Sequence, residues 1–129
     1  MYLFLKERRG NLIMSWYDSA VFYHIYPLGL CGCPHENKAE HYGGPGFDRI
    51  TEWADHAKRI GCSAIYIGPL FESGSHGYDT IDYRKVDRRL GTNEEFAAFV
   101  KHCHDMGVKV IVDGVFNHVG RGFKALQDL

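Results

Sequence analysis

The sequence predicts an α/β fold made of parallel β–α–β units. Three observations support it: short apolar runs rich in β-branched and aromatic residues at 20–26, 62–70 and 108–112; an apolar stripe of helical period in each interval between them; and a glycine, Gly61 or Gly107, closing each stripe. Helices of this length cross back over a sheet and return the next strand parallel to the last.

The elements follow in order. Residues 20–26 (AVFYHIY) stop at Pro27, which cannot donate to a ladder, and form the first strand. The stretch 27–47 is rich in glycine and proline and reads as a long loop. Ile50, Trp53, Ala54, Ala57 and Ile60 then recur at helical spacing, with Asp48 expected to cap the start and Gly61 the end. Residues 62–70 (CSAIYIGPL) are almost continuously apolar, as in a strand covered on both faces. Residues 71–91 show no sustained period, although 81–86 can be locally extended; a long irregular insertion in a compact unit is usually functional. Thr92 and Glu95 have the spacing of a capping box, and Phe96, Phe99, Val100, Cys103 and Met106 form the second stripe. Residues 108–112 (VKVIV) are the third strand.

Composition narrows the function. The 129 residues suffice for one domain with a core, and 45% of them are hydrophobic. Fifteen Lys and Arg nearly balance sixteen Asp and Glu, so no field of one sign is present to attract nucleic acid or an anionic membrane. A neutral partner is expected. The aromatic share of 14%, with eight tyrosines, suits sugars as well as ordinary cores. No apolar stretch is long enough to cross a bilayer, and at the N-terminus apolar residues 2–5 precede the charges at 6–9, the reverse of a secretory signal. Residues 1–15 read as an extension, disordered or arising from a mis-assigned start, with translation expected to begin at Met14; residues 16–129 form the domain. The four cysteines make no dense disulfide framework, which points to a reducing, cytoplasmic location. Cys31, Cys33, His35 and His41 leave a zinc site open as an alternative, at a spacing unlike the familiar ones.

Parallel strands would send Tyr26, the loop after Leu70, and residues 113–118 to one edge of the sheet, where α/β proteins place their chemistry. Asp113, Asn117 and His118 directly follow an apolar strand. They are either a turn with a capping Asp and a surface His, or part of a site. Neither glycine-rich phosphate motif nor a G-x-S-x-G elbow occurs, which disfavours nucleotides and that class of serine nucleophile. Cys103 lies in a helix stripe and is expected to pack; His102 and His104 flank it and are expected to be solvated.

At residues 113–118 (DGVFNH) and 77–79 (GYD) the sequence resembles the α-amylase family of glycoside hydrolases. D-x-x-x-N-H after the third strand is that family's first signature region. The likeness runs from Trp16 to Gly120 and includes AVFYHIYP, GCSAIYIGPLFES and the stretch from GYD to NHVG. It implies the N-terminal βαβαβ part of a (β/α)8 barrel, incomplete in this chain. The family cleaves α-glucosidic bonds with retention. An Asp after the fourth strand is the nucleophile and a Glu after the fifth is the acid and base, carboxyls roughly 5–5.5 Å apart in retaining enzymes. Both positions lie beyond residue 129, so the chain alone is expected to be inactive and the remainder of the barrel is its expected partner.

The resemblance also assigns roles residue by residue. Tyr78 matches the tyrosine that stacks on the sugar before the scissile bond, and His118 the histidine that hydrogen-bonds the same sugar. Asp113 matches a buried aspartate normally paired with an arginine near the nucleophile, and that arginine lies outside the chain. Asn117 matches the position of a calcium ligand in calcium-binding members. His76 is expected to line the same pocket and Asp79 to brace its loop. Some members that act on short oligosaccharides carry an acidic residue where Ser75 stands, which tilts the expectation towards longer α-glucans such as starch. The alternative is a non-catalytic binding or interaction module of the same fold, motivated by the unpaired edge of the third strand.

Overall fold

A computed structural model describes residues 14–38 and 42–127. Residues 1–13 of the expected extension, and His41 of the zinc alternative, lie outside the described residues. In chain order the elements are β1 (Phe22–Ile25), α1 (Pro27–Leu30), α2 (Gly46–Arg59), β2 (Ala64–Ile67), β3 (Phe71–Ser73), β4 (Thr80–Val86), α3 (Asn93–Asp105), β5 (Lys109–Val112) and α4 (Lys124–Gln127). No helix among the described residues is long and apolar enough to cross a membrane.

The main sheet has the order β1-β2-β5 and is parallel throughout, in the register His24–Tyr66–Ile111. Side chains alternate across a strand, so Ile25, Ile65, Ile67 and Val110 share one face. That face packs on Phe47, Ile50, Ala54 and Ala57 of α2 and on Phe99 and Cys103 of α3. Full burial of side chains such as Ile50, Ile65 and Ile67 contributes about 1.5–3 kcal/mol each. The opposite face carries Phe22, His24, Tyr66 and Ile111, and the described residues leave it partly open: Phe22 is exposed, and the Tyr66 ring is covered mainly by His24, stacked at 4.6 Å and 20°. The expectation that the second strand is covered on both faces therefore holds fully on the helix side at Ile65 and Ile67, and on the other side at Ala64 but only in part at Tyr66.

Four local expectations are corrected. The first long helix does not start at Asp48. It begins at Gly46 behind Pro45, with no side-chain cap, and Asp48 lies in its first turn, where a negative charge meets the positive end of the helix dipole. The helix can begin there because Gly46 adopts φ +47° and lies against the Leu90 carbonyl, where a Cβ has no room. The loop after the first strand contains the short helix α1, opened by Pro27, whose fixed φ suits a first helical position. Residues 71–91 hold an antiparallel hairpin, β3 against β4; only the β4 half was foreshadowed at 81–86. Finally, His102 is not simply solvated: its Nε2 lies 2.6 Å from Asp55 Oδ1 and links α3 to α2. Gly61 at the end of α2 (φ +96°) and the reciprocal Thr92–Glu95 box at the start of α3 match expectation.

A buried polar cluster explains why so short and polar a strand as β3 forms. Asp87 accepts hydrogen bonds from Ser73 N and Oγ and from Arg89 N, Nε and a terminal guanidinium nitrogen. The Arg89 guanidinium, 2% exposed, also donates to the carbonyls of Pro34 and His35. One ion pair thereby joins the hairpin to the loop after β1. Asn37 extends the seam, its side chain donating to Glu72 and Ser73 and its backbone N to Gly74.

Candidate functional site

All three parallel strands end on one edge, and each is followed by a segment bearing candidate site residues. After β1, Tyr26 opens α1. After β2, Gly68-Pro69 leads into the hairpin, whose 74–79 turn carries His76, Tyr78 and Asp79. After β5, Asp113 donates its backbone N to Ile67 O at 3.0 Å, continuing the ladder by one residue, and 114–119 runs on without regular structure.

The 74–79 turn closes on itself. Asp79 accepts from Ser75 N at 3.1 Å and Ser75 Oγ at 2.8 Å, and Tyr78 N donates to His76 Nδ1 at 3.2 Å. Burial by itself would push the Asp79 carboxyl up. The hydrogen bonds from Ser75 and from its own backbone amide, with His76 Nδ1 3.8 Å away, outweigh burial and hold it below the ordinary carboxylate range. The turn is pressed onto the end of β2: Gly77 has φ +96°, and a Cβ there would stand 2.7 Å from Pro69 Cβ. The Tyr78 ring is left 41% exposed, a flat surface open to solvent.

The turn and the segment after β5 meet through Gly120. Its N–H donates to Thr80 O at 2.8 Å, and a Cβ on it would stand 2.5 Å from Asp79 O, so no other residue lets these backbones approach as closely. The chain just past His118 thus lies against the chain just past Tyr78. Asn117 and His118 are exposed. Tyr83 Oη donates to Val115 O and pins the same segment to β4 from the other side. The fold gathers the expected residues on one rim, with Asp113 set deeper.

Asp113 has a neighbour that sequence reasoning missed. The Tyr66 phenol stands near its carboxylate: burial raises the phenol's pKa first and Asp113 raises it further, so Tyr66 stays protonated at neutral pH. Asp87, Arg89 and Glu72 were also missed. In the sequence they look like solvated loop charges, and nothing local distinguishes a buried D-x-R from an exposed one.

The zinc alternative finds no support in the described residues. Cys31 Sγ donates to Gly46 O at 3.3 Å and Cys33 Sγ to Arg89 O at 3.6 Å, as thiols do, and burial pushes the Cys33 and Cys103 thiols up to about 11. Among the described residues no group of three His, Cys, Asp or Glu side chains is gathered around a metal-sized space. Calcium takes 6–8 oxygen ligands. Asn117, exposed, does not make such a site by itself.

A parallel sheet with helices against one face, and polar groups at its carboxyl edge, defines the α/β class, in which barrels and open doubly wound sheets share this arrangement. Comparison with known proteins makes this specific. The family model for the alpha amylase catalytic domain matches residues 37–129, and the chain belongs to the α-amylase family. A cyclomaltodextrinase of Thermoanaerobacter pseudethanolicus is 33% identical over 99% of this chain and 25% of its own length. A maltogenic α-amylase of Bacillus acidopullulyticus is 32% identical over 89% of this chain and 22% of its own. The crystal structure of Bacillus licheniformis trehalose-6-phosphate hydrolase superimposes with a TM-score of 0.71 at 29% identity, covering 87% of this chain and 20% of that one. The chain therefore spans about a fifth to a quarter of the length of these relatives, and it corresponds to the N-terminal part of their α/β barrels.

Proposed function

We propose that this chain supplies one wall of the sugar-binding site of a retaining α-glucan hydrolase or transglycosidase acting on starch or maltooligosaccharides. Tyr78 offers its exposed ring to the apolar face of a pyranose, and His118 hydrogen-bonds a hydroxyl of the same sugar. His76 lines the site beside Tyr78, Asp79 braces the turn, and Asp113 orders the floor. Asn117 is the position from which a calcium ligand would come, completed by residues outside this chain. The nucleophile and the acid–base carboxylate belong to later strands, so the chain by itself binds without cleaving. The four free cysteines favour a cytoplasmic setting for the enzyme.

The observation that carries the reading is the Gly120–Thr80 hydrogen bond, which holds the segments bearing His118 and Tyr78 together at the carboxyl edge. The test is a titration of the 129-residue chain with maltotriose, followed by NMR, alongside an assay for reducing sugar. Wild type is expected to show saturable shifts and no sugar release. Tyr78→Ala should abolish the shifts, and His118→Ala should weaken binding about fivefold, the value of one neutral hydrogen bond. Unaltered binding by Tyr78→Ala would sink the proposal.

A second reading, an interaction module, draws on one observation. Val112 at the end of β5 and Phe116 in the segment after it are exposed, and the outer edge of β5 pairs with no strand among the described residues. Such an edge accepts a partner strand.

A further inference from the structure

From sequence Tyr26 is expected only to emerge at the carboxyl edge. Its hydroxyl donates to the His76 carbonyl at 2.9 Å, across fifty residues of sequence. His76 in turn accepts the Tyr78 amide on Nδ1, so two successive hydrogen bonds run from the end of β1 to the backbone of Tyr78. Burial is the leading cause that raises the Tyr26 phenol, which stays protonated and able to donate at neutral pH.

The ring that delivers this hydroxyl is held by a second close fit. It lies on Gly29 of α1, where a Cβ would stand 2.7 Å from Tyr26 Cδ1 and 3.1 Å from Cε1. Gly29 has no positive φ to explain it; the absent side chain makes room for the ring. Among the described residues no other polar group from outside the turn bonds to residues 76–78. Pro69 and Leu28 bear on Gly77 only by van der Waals contact, and Asp79 closes the turn internally. Tyr26 is therefore the polar tie, among those described, that anchors His76 to the main sheet.

We propose that Tyr26, seated on Gly29, is the positioning residue that sets the height and tilt of the Tyr78 platform for sugar. The proposal rests on the reading of Tyr78 as the stacking residue. Tyr26 acts through His76 and need not touch the sugar. Removing its hydroxyl should leave the fold intact and loosen only the 76–78 segment. Placing a methyl on Gly29 should do the same from beneath, by displacing the ring while keeping the hydroxyl.

The experiment compares wild type, Tyr26→Phe and Gly29→Ala of the 129-residue chain by amide hydrogen exchange and maltotriose titration. In both variants the expected result is about fivefold faster exchange at Tyr78 and about fivefold weaker binding, with β1, β2 and β5 amides unchanged. A merely structural role would instead change the strand amides together. If wild type binds maltotriose and both variants keep its Tyr78 exchange and affinity, Tyr26 has no positioning role. Should wild type give no response to maltotriose, the sugar reading itself fails. If Tyr26→Phe does not fold, Gly29→Ala decides: wild-type exchange and affinity in that variant overturn the proposal.

Discussion

Asp79 carries the charge on which the site turn depends. Its two oxygens receive Ser75 N and Oγ, and its folded pKa lies below the ordinary carboxylate value of 3.8. A depressed folded pKa means that the unfolded chain binds the proton first as the solution is acidified. The stabilisation is thus fully present above the ordinary value and is lost as pH falls through the lower, folded one. Urea midpoints measured from pH 5 down to pH 3 should therefore drop more steeply for wild type than for Asp79→Asn, which has no carboxylate to titrate. Equal slopes would mean that the turn does not depend on this charge. Such an anchor suits the stacking role proposed for Tyr78, because a stacking ring confers selectivity only if its plane is held still.

Between elements, the Asp87–Arg89 pair does for the hairpin what the apolar faces do for the sheet. A three-residue strand with two buried polar side chains has little apolar area to hold it in place. Its stability comes from the five donors that converge on Asp87 and from the guanidinium bonds to Pro34 and His35. Arg89→Met keeps the volume but leaves Asp87 buried without its countercharge. We expect a loss of about 3–5 kcal/mol in chemical denaturation, the range for breaking one side of a buried pair. A loss below about 1 kcal/mol would mean that water replaces the guanidinium. By contrast, the His102–Asp55 contact between α2 and α3 is more than a third exposed on both sides, and solvent screening keeps its contribution small.

For the molecule as a whole, the partly open sheet face is the dominant feature. Phe22 is 44% exposed beside Trp16, and on the β5 side Phe116 is 81% exposed against Tyr83. In a (β/α)8 barrel the face opposite the helices points inward and is filled by side chains from the other strands. Among the described residues that face stays partly open, and the outer edge of β5 pairs with no strand. Sedimentation velocity of the 129-residue chain should therefore show concentration-dependent association, reduced in Val112→Lys, which puts a charge at the edge of β5. A well-behaved monomer at every concentration would show that the open face is tolerated in water.

The sequence by itself determined the strand–helix alternation, the Thr92–Glu95 cap, the Gly61 stop and the family, because these rest on period and local chemistry that survive without tertiary context. DGVFNH and GYD together were enough to nominate Tyr78, His118 and Asp113. Tertiary structure decided everything that depends on residues distant in sequence. It brought Ser73, Asp87 and Arg89 into one buried cluster, placed the Tyr66 phenol near Asp113, paired His102 with Asp55, and set Tyr26 against His76. It also moved the start of α2 to Gly46, since the space beneath that residue is set by the Leu90 carbonyl and not by any neighbour in sequence. The physical reason is common to all of these. Whether a polar side chain is solvated or buried and paired is fixed by what the fold packs against it, and a strand's apolar pattern says only that something must.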